Sequence, residues 1–171
     1  MALETDYYRS LQQRVKNHDV RIGVFGLTSE SLKDAVSYAR EGFSVICMDF
    51  RELRVEMVNR GISFTPEVSD LELLRLIKTG KIEATTDTGL IGKMDFLKIY
   101  PSRPFSSGNR YPDIHQIMEA VAHTIKPGII LGLNDENETL VMHAEMERIM
   151  RRAGLSYGLD YLFGSFRKAQ A

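Results

Sequence analysis

Gly26 and Asp49 are the residues of this sequence whose placement most plainly implies chemistry. Gly26 closes a short apolar run, Arg21-Ile22-Gly23-Val24-Phe25, and Asp49 follows a second one, Phe43 to Met48. Between them, Ser29 to Glu41 carries Leu32, Ala35, Val36 and Ala39 on one helical face and stops at Gly42. A buried strand, a glycine turn, a helix and a second strand, with an acid about 20 residues on, is the layout that binds dinucleotides. In it the acid accepts hydrogen bonds from the adenosine ribose. The helix start near Ser29 aims free N–H groups and the positive dipole end at the pyrophosphate. Thr28 and Ser29 bring hydroxyls to the same turn, and Arg54 lies where it could approach the adenosine phosphate.

Each of these residues also has a plainer reading. Asp49 is equally well placed as a polar strand end that caps a helix starting at Arg51. Arg54 fits a solvated helix face. His18, His115, His123 and His143 are scattered at no metal-ligand spacing and read as surface residues, so no metal is expected. Met142, Met146 and Met150 recur every four residues, a stripe whose default is core packing, although part of it could serve as a contact surface.

The elements that must position the turn and the acid follow from the apolar pattern. Met1 to Val20 is polar with Leu3, Tyr7, Leu11 and Val15 every fourth residue, which predicts a helix with one narrow stripe. After Asp49 come a helix from Arg51 to Asn59 and a loop at Pro66. A helix Leu71 to Lys78 capped by Asp70 and a short strand Ile82 to Thr86 follow. The second half repeats the alternation. It has a strand Phe96 to Tyr100, a loop Pro101 to Pro112, a helix from Asp113 to Thr124 and a strand Ile129 to Leu131. A helix Thr139 to Arg152 and a last strand Tyr161 to Phe163 complete it. Continuous apolar strands alternating with helices predict an α/β, Rossmann-like, doubly wound and mostly parallel sheet with helices on both faces. Residues 1–20 are expected to form a helical extension, packed on its own domain or on a partner, and residues 21–171 a single domain.

Composition narrows the partners. The 171 residues carry 22 Lys+Arg against 23 Asp+Glu, so no net field draws the chain to nucleic acid or an anionic membrane. No apolar run approaches the roughly 20 residues of a membrane helix, and no signal peptide opens the sequence. The single Cys47 excludes an internal disulfide and a Cys-rich zinc site, and points to a reducing, cytoplasmic setting.

Longer stretches carry a family resemblance. Glu41-Gly42-Phe43-Ser44-Val45-Ile46 leads into Asp49, then Arg54-Val55 and Asn59-Arg60-Gly61; Pro66-Glu67, Gly80-Lys81-Ile82 and Ala84-Thr85-Thr86-Asp87 follow. Further on come Pro112-Asp113, Lys126-Pro127-Gly128 before Ile129, Gly154-Leu155 and Gly158-Leu159-Asp160-Tyr161-Leu162. In this order, from Arg21 to Arg167, the chain resembles the N-terminal NAD-binding domain of the UDP-glucose/GDP-mannose dehydrogenases, which oxidise sugar nucleotides to uronic acids. The resemblance implies NAD as the candidate cofactor. It adds Ser102, in Tyr100-Pro101-Ser102-Arg103, to a binding set of Gly26, Thr28, Ser29, Asp49 and Arg54.

The departures from that family are as informative. Its first turn has three glycines, whereas Gly26-Leu27-Thr28-Ser29-Glu30-Ser31 keeps only the first. Thr28 puts a Cβ where backbone should approach the pyrophosphate. Ser31 replaces the glycine of close helix–strand packing, and Glu30 would repel a phosphate. The same residues suit a helix that caps itself, with a Thr28 or Ser29 hydroxyl accepting from free N–H groups. Asp135, Glu136 and Glu138 make the loop after the fifth strand acidic. The family's substrate-segment glutamate falls at Phe166, beside a retained Arg167, and its catalytic cysteine lies beyond the region matched. Cys47, inside a strand, cannot replace it. The expectation is a truncated, non-catalytic relative acting as a binding or assembly module, self-associating or held by a protein partner, with no assured cofactor. Its rival is a working NAD-binding domain whose catalytic half is absent or on another chain. A third reading retunes the site for another small ligand through Arg103 and Arg110.

Overall fold

A computed structural model describes residues 2–101, 114–134 and 139–165. Among these residues six strands form one sheet, β1 (Arg21–Phe25), β2 (Ser44–Met48), β3 (Ile82–Thr85), β4 (Phe96–Ile99), β5 (Ile129–Leu133) and β6 (Tyr161–Ser165). Their order is β3-β2-β1-β4-β5-β6, and every neighbouring pair is parallel. The helices are α1 (Ala2–Lys16), α2 (Ser29–Arg40), α3 (Glu52–Asn59), α4 (Asp70–Lys78), α5 (Ile114–Thr124) and α6 (Thr139–Arg152). The chain winds outward from β1 to β3, then returns to add β4 on the other side of β1. That reversal leaves a crevice at the carboxyl ends of β1 and β4, where open α/β sheets bind ligands.

Alternation along the strands builds two cores. Val24, Val45 and Cys47 pack with Leu32, Ala35 and Val36 of α2, and with Val58, Leu73 and Leu76 of α3 and α4. Phe25, Met48, Leu97 and Ile99 face the other way, against Ile117, Met118 and Val121 of α5 and Met146 and Met150 of α6. The described part of the methionine stripe is therefore core, with Met146 and Met150 fully buried. Cys47 is also buried, and burial pushes its thiol up to about 12.

Several boundaries differ from the sequence expectation for physical reasons. Ser69, not Asp70, caps α4: its side chain accepts from the Glu72 N–H. Asp70 is the first helical residue and instead accepts from the Ser63 N–H at 2.8 Å. A short 3-10 helix, Thr88–Lys93, precedes β4, capped by the Asp87 carboxylate on Gly89 N–H; with two glycines in six residues it carries no readable periodicity. The N-terminal segment forms α1 and lies on its own domain. The Tyr7 hydroxyl donates to the Gly128 carbonyl at 3.0 Å, and Arg14 grips Asp95 with both terminal nitrogens, at 3.0 and 2.9 Å. Gly128 has φ +88°, and a Cβ there would meet the Tyr7 ring at 2.6 Å, so the docking of α1 depends on a glycine in that turn.

Candidate functional site

The crevice is built by the turn Gly26–Thr28, the start of α2, and Asp49 with Arg51 after β2. Gly26 has φ +95°, and a Cβ on it would lie 2.1 Å from the Tyr100 carbonyl oxygen. Only glycine lets the β4 end pass this close to the turn. The Gly26 N–H donates to the Met48 carbonyl at 2.8 Å.

Thr28 caps α2 in a reciprocal box. Its hydroxyl accepts from the Ser31 N–H at 3.1 Å, and the Ser31 hydroxyl accepts from the Thr28 N–H at 2.8 Å. Ser31 also donates its hydroxyl proton to the Thr28 carbonyl at 3.0 Å. The residue standing at the third glycine position thus plays the part usually taken by Glu or Gln in a capping box. Ser29 and Glu30 are exposed in the first turn.

Asp49 is 5% exposed and fully engaged. One carboxylate oxygen accepts from the Leu27 N–H at 2.6 Å and from Arg51 Nη2 at 2.7 Å. The other accepts from the Arg51 N–H and from Arg51 Nε, both at 2.8 Å. Arg51 Nη2 also donates to the Leu27 carbonyl at 3.2 Å, closing a clasp between the turn and the β2 end. Burial alone would raise the Asp49 pKa, but hydrogen bonds from Arg51 and Leu27 hold it below the usual carboxylate value.

Gly26, Thr28, Ser29 and Asp49 therefore do come together. Arg54 does not join them: it is half-buried on α3, with its guanidinium 4.2 Å over the Phe64 ring. That geometry replaces the solvated-face reading with a cation–π contact. Ser102, Arg103 and Arg110 lie outside the described residues, as do Asp113, Asp135, Glu136, Glu138, Phe166 and Arg167. His143 departs from its expected surface role. Its ring stacks on Phe163 at 5.1 Å, and its Nε2 is buried without a partner among the described residues.

Sequence reasoning missed a buried network beneath the turn. Lys98 on β4 donates to Asp34 on α2 at 2.6 Å, and the Tyr100 hydroxyl donates to the same oxygen at 2.5 Å. Lys98 and Asp34 are 6% and 8% exposed along their side chains. Burial, then Asp34, raises the Tyr100 pKa, and burial with the same carboxylate nearby pushes Tyr38 up to about 12. A lysine inside the apolar strand Phe96-Leu97-Lys98-Ile99 was the available signal, because a buried charge demands a partner. Sealed from solvent, the network fixes α2 on β4.

A dinucleotide does not fit this crevice as it stands. A ribose would have to displace Arg51 from Asp49. A diphosphate would meet the N–H groups of Leu27, Thr28 and Ser31 already donated, and those of Ser29 and Glu30 beside the Glu30 carboxylate. Among the described residues no group of three His, Cys, Asp or Glu could hold a metal, and no helix is long and apolar enough to cross a membrane.

The sequence matches no protein-family model and no curated protein. Solved structures do resemble the fold. An NDP-N-acetyl-D-galactosaminuronic acid dehydrogenase from Methanosarcina mazei superposes with TM-score 0.72 at 22% identity, over 93% of this chain and 37% of that one. A GDP-mannose dehydrogenase from Pseudomonas aeruginosa gives TM-score 0.68 at 20% identity, over 85% and 35%. A UDP-D-ManNAc dehydrogenase from Pyrococcus horikoshii gives 0.68 at 22%, over 87% and 37%. The chain spans little more than a third of these enzymes, and over that third it has the fold of the sugar-nucleotide dehydrogenases.

Proposed function

We propose that this domain is a relative of the sugar-nucleotide dehydrogenases in which the dinucleotide crevice is closed from within, and that it works as a non-catalytic binding or assembly module. The observation that carries this reading is the Asp49–Arg51 clasp: both oxygens of the acid that would face a ribose are held by this chain's own donors. The Thr28–Ser31 box supports it by spending two of the turn's N–H groups on the helix cap. The partner is a second copy or another protein, and the setting is the cytoplasm. Leu53 on α3 and Leu71 on α4, 70% and 79% exposed, are apolar side chains available for such a contact.

Calorimetric titration with NAD tests the reading. The unaltered protein is expected to show no saturable heat up to millimolar NAD. Thr28→Gly, Ser31→Gly and Arg51→Ala combined restore the glycines and free Asp49, and should bring binding into range. Micromolar binding by the unaltered chain, or its oxidation of a sugar nucleotide, overturns the proposal. One observation favours the rival reading of a working NAD domain: the Arg51 side chain is 48% exposed and can leave Asp49 without unpacking a core. In that case NAD binds the unaltered protein and Asp49→Ala abolishes it.

A further inference from the structure

At the opposite end of the strands, below the amino ends of β1, β2 and β4, lies a polar cleft of about 500 Å³. Its walls carry Arg14, Arg21, Lys93 and Lys126 against Asp19 and Asp95, with Ser44 and His18 at its sides. Four cationic side chains face two carboxylates, a surplus of two positive charges in a chain whose formal net charge is −1.

The arrangement is organised around a buried acid. Asp95 is 1% exposed and receives Arg14 through two bonds, Lys126 Nζ at 3.1 Å and the Arg21 N–H at 3.0 Å. One carboxylate thus holds two cations side by side, more positive charge than it neutralises. Asp19 offsets little of it, since its side chain is 82% exposed and 3.9 Å from Arg14. The Arg21 and Lys93 side chains have no hydrogen-bond or ion-pair partner among the described residues. Two cations pinned by Asp95 and two uncommitted ones therefore share one concave wall. His18 borders it from the end of α1, in the left-handed region at φ 55° with its ring packed edge-on against Phe43.

We infer that this cleft binds a phosphate group, either free or as the monoester of a small molecule. Arginine and lysine together with a hydroxyl suit a tetrahedral oxyanion, for which the guanidinium fork and the ammonium supply donors in several directions. A local cluster of cations, on a chain with no overall positive field, fits a compact dianion better than an extended polyanion. The site is independent of the Asp49 crevice, at the other end of the strands, so its test is separate from NAD binding.

The test is a titration of the full chain with inorganic phosphate and, in parallel, phenyl phosphate, at constant ionic strength, followed by amide chemical shifts. Saturable shifts confined to residues 18–21, 44 and 93–95 are expected. Tighter binding of inorganic phosphate would identify the free ion, and tighter binding of phenyl phosphate a monoester. Arg21→Ala with Lys93→Ala should weaken binding about tenfold or more while leaving the thermal midpoint in place, because Asp95 keeps the Arg21 backbone N–H, Arg14 and Lys126. Unsaturable shifts spread over the surface for both probes, or a double variant that binds as tightly as the parent, overturns the inference.

Discussion

A carboxylate offers about four acceptor sites, and Asp49 fills four, from the Leu27 N–H, the Arg51 N–H, Arg51 Nε and Arg51 Nη2. Whether such an acid holds the fold together or gives way to a ribose is what the NAD titration tests. Lys98 and Asp34 pose the same question in the core, where each neutralises the other. Lys98→Met leaves the Asp34 carboxylate buried opposite an apolar side chain and is expected to cost about 3–5 kcal/mol. Adding Asp34→Leu should recover much of that loss, since no buried charge then remains. Urea unfolding of the two variants checks it, and a double variant no more stable than Lys98→Met would refute this account. The lysine was visible in the sequence as a charge inside an apolar run. Its partner was not, because Asp34 lies 64 residues away on a helix whose face only the fold selects.

Single elements are secured by side chains that reach across to backbone. Asn59, at the end of α3, donates to the Ala84 carbonyl at 2.8 Å and accepts from the Ala84 N–H at 3.0 Å. Ala84 sits in β3, an edge strand, and these are groups that β2 does not pair. One amide thereby blunts an edge that would otherwise present unpaired N–H and C=O groups. Asn59→Ala should cost about 1 kcal/mol and speed hydrogen exchange at the Ala84 amide, while exchange in β1 and β4 stays unchanged. Unaltered Ala84 exchange would show that the strand holds without the side chain. The sequence marked Asn59 only as a helix end and as part of the family-like Asn59-Arg60-Gly61; the reason for the asparagine appears only when α3 is laid beside β3.

Besides Asp34, two buried acids among the described residues tie remote segments together. Asp49 joins the β1 turn to the β2 end, and Asp95 joins α1, β1 and Lys126. In both, burial opposes the charge, but hydrogen bonds from arginine and backbone N–H groups prevail and depress the pKa. The unfolded chain therefore takes up protons before the folded one does. Their contribution is complete above the ordinary carboxylate pKa of about 3.9 and is lost as pH falls through the lower folded values. Stability measured by urea midpoints should stay level from neutral pH to about pH 5 and decline below about pH 4. A midpoint unchanged down to about pH 2 would show that neither acid is held as described.

The alternation of apolar runs with helical faces was enough to determine the parallel α/β architecture, because a strand buried on both sides reads as a nearly continuous apolar run. The same local chemistry marked Gly26 as the turn and left either Thr28 or Ser29 to cap the helix after it. It could not decide what Asp49 does, since a ribose acid and a capping acid look identical in sequence. In the structure the Arg51 guanidinium goes to that acid, two residues away, and to a carbonyl 24 residues away that only the folded sheet brings within reach. Neither could it assemble the Asp95 cleft, whose walls come from α1, β1, β2, the 3-10 helix and the turn before β5. Sites of that kind exist only after distant segments pack, and sequence spacing carries no record of them.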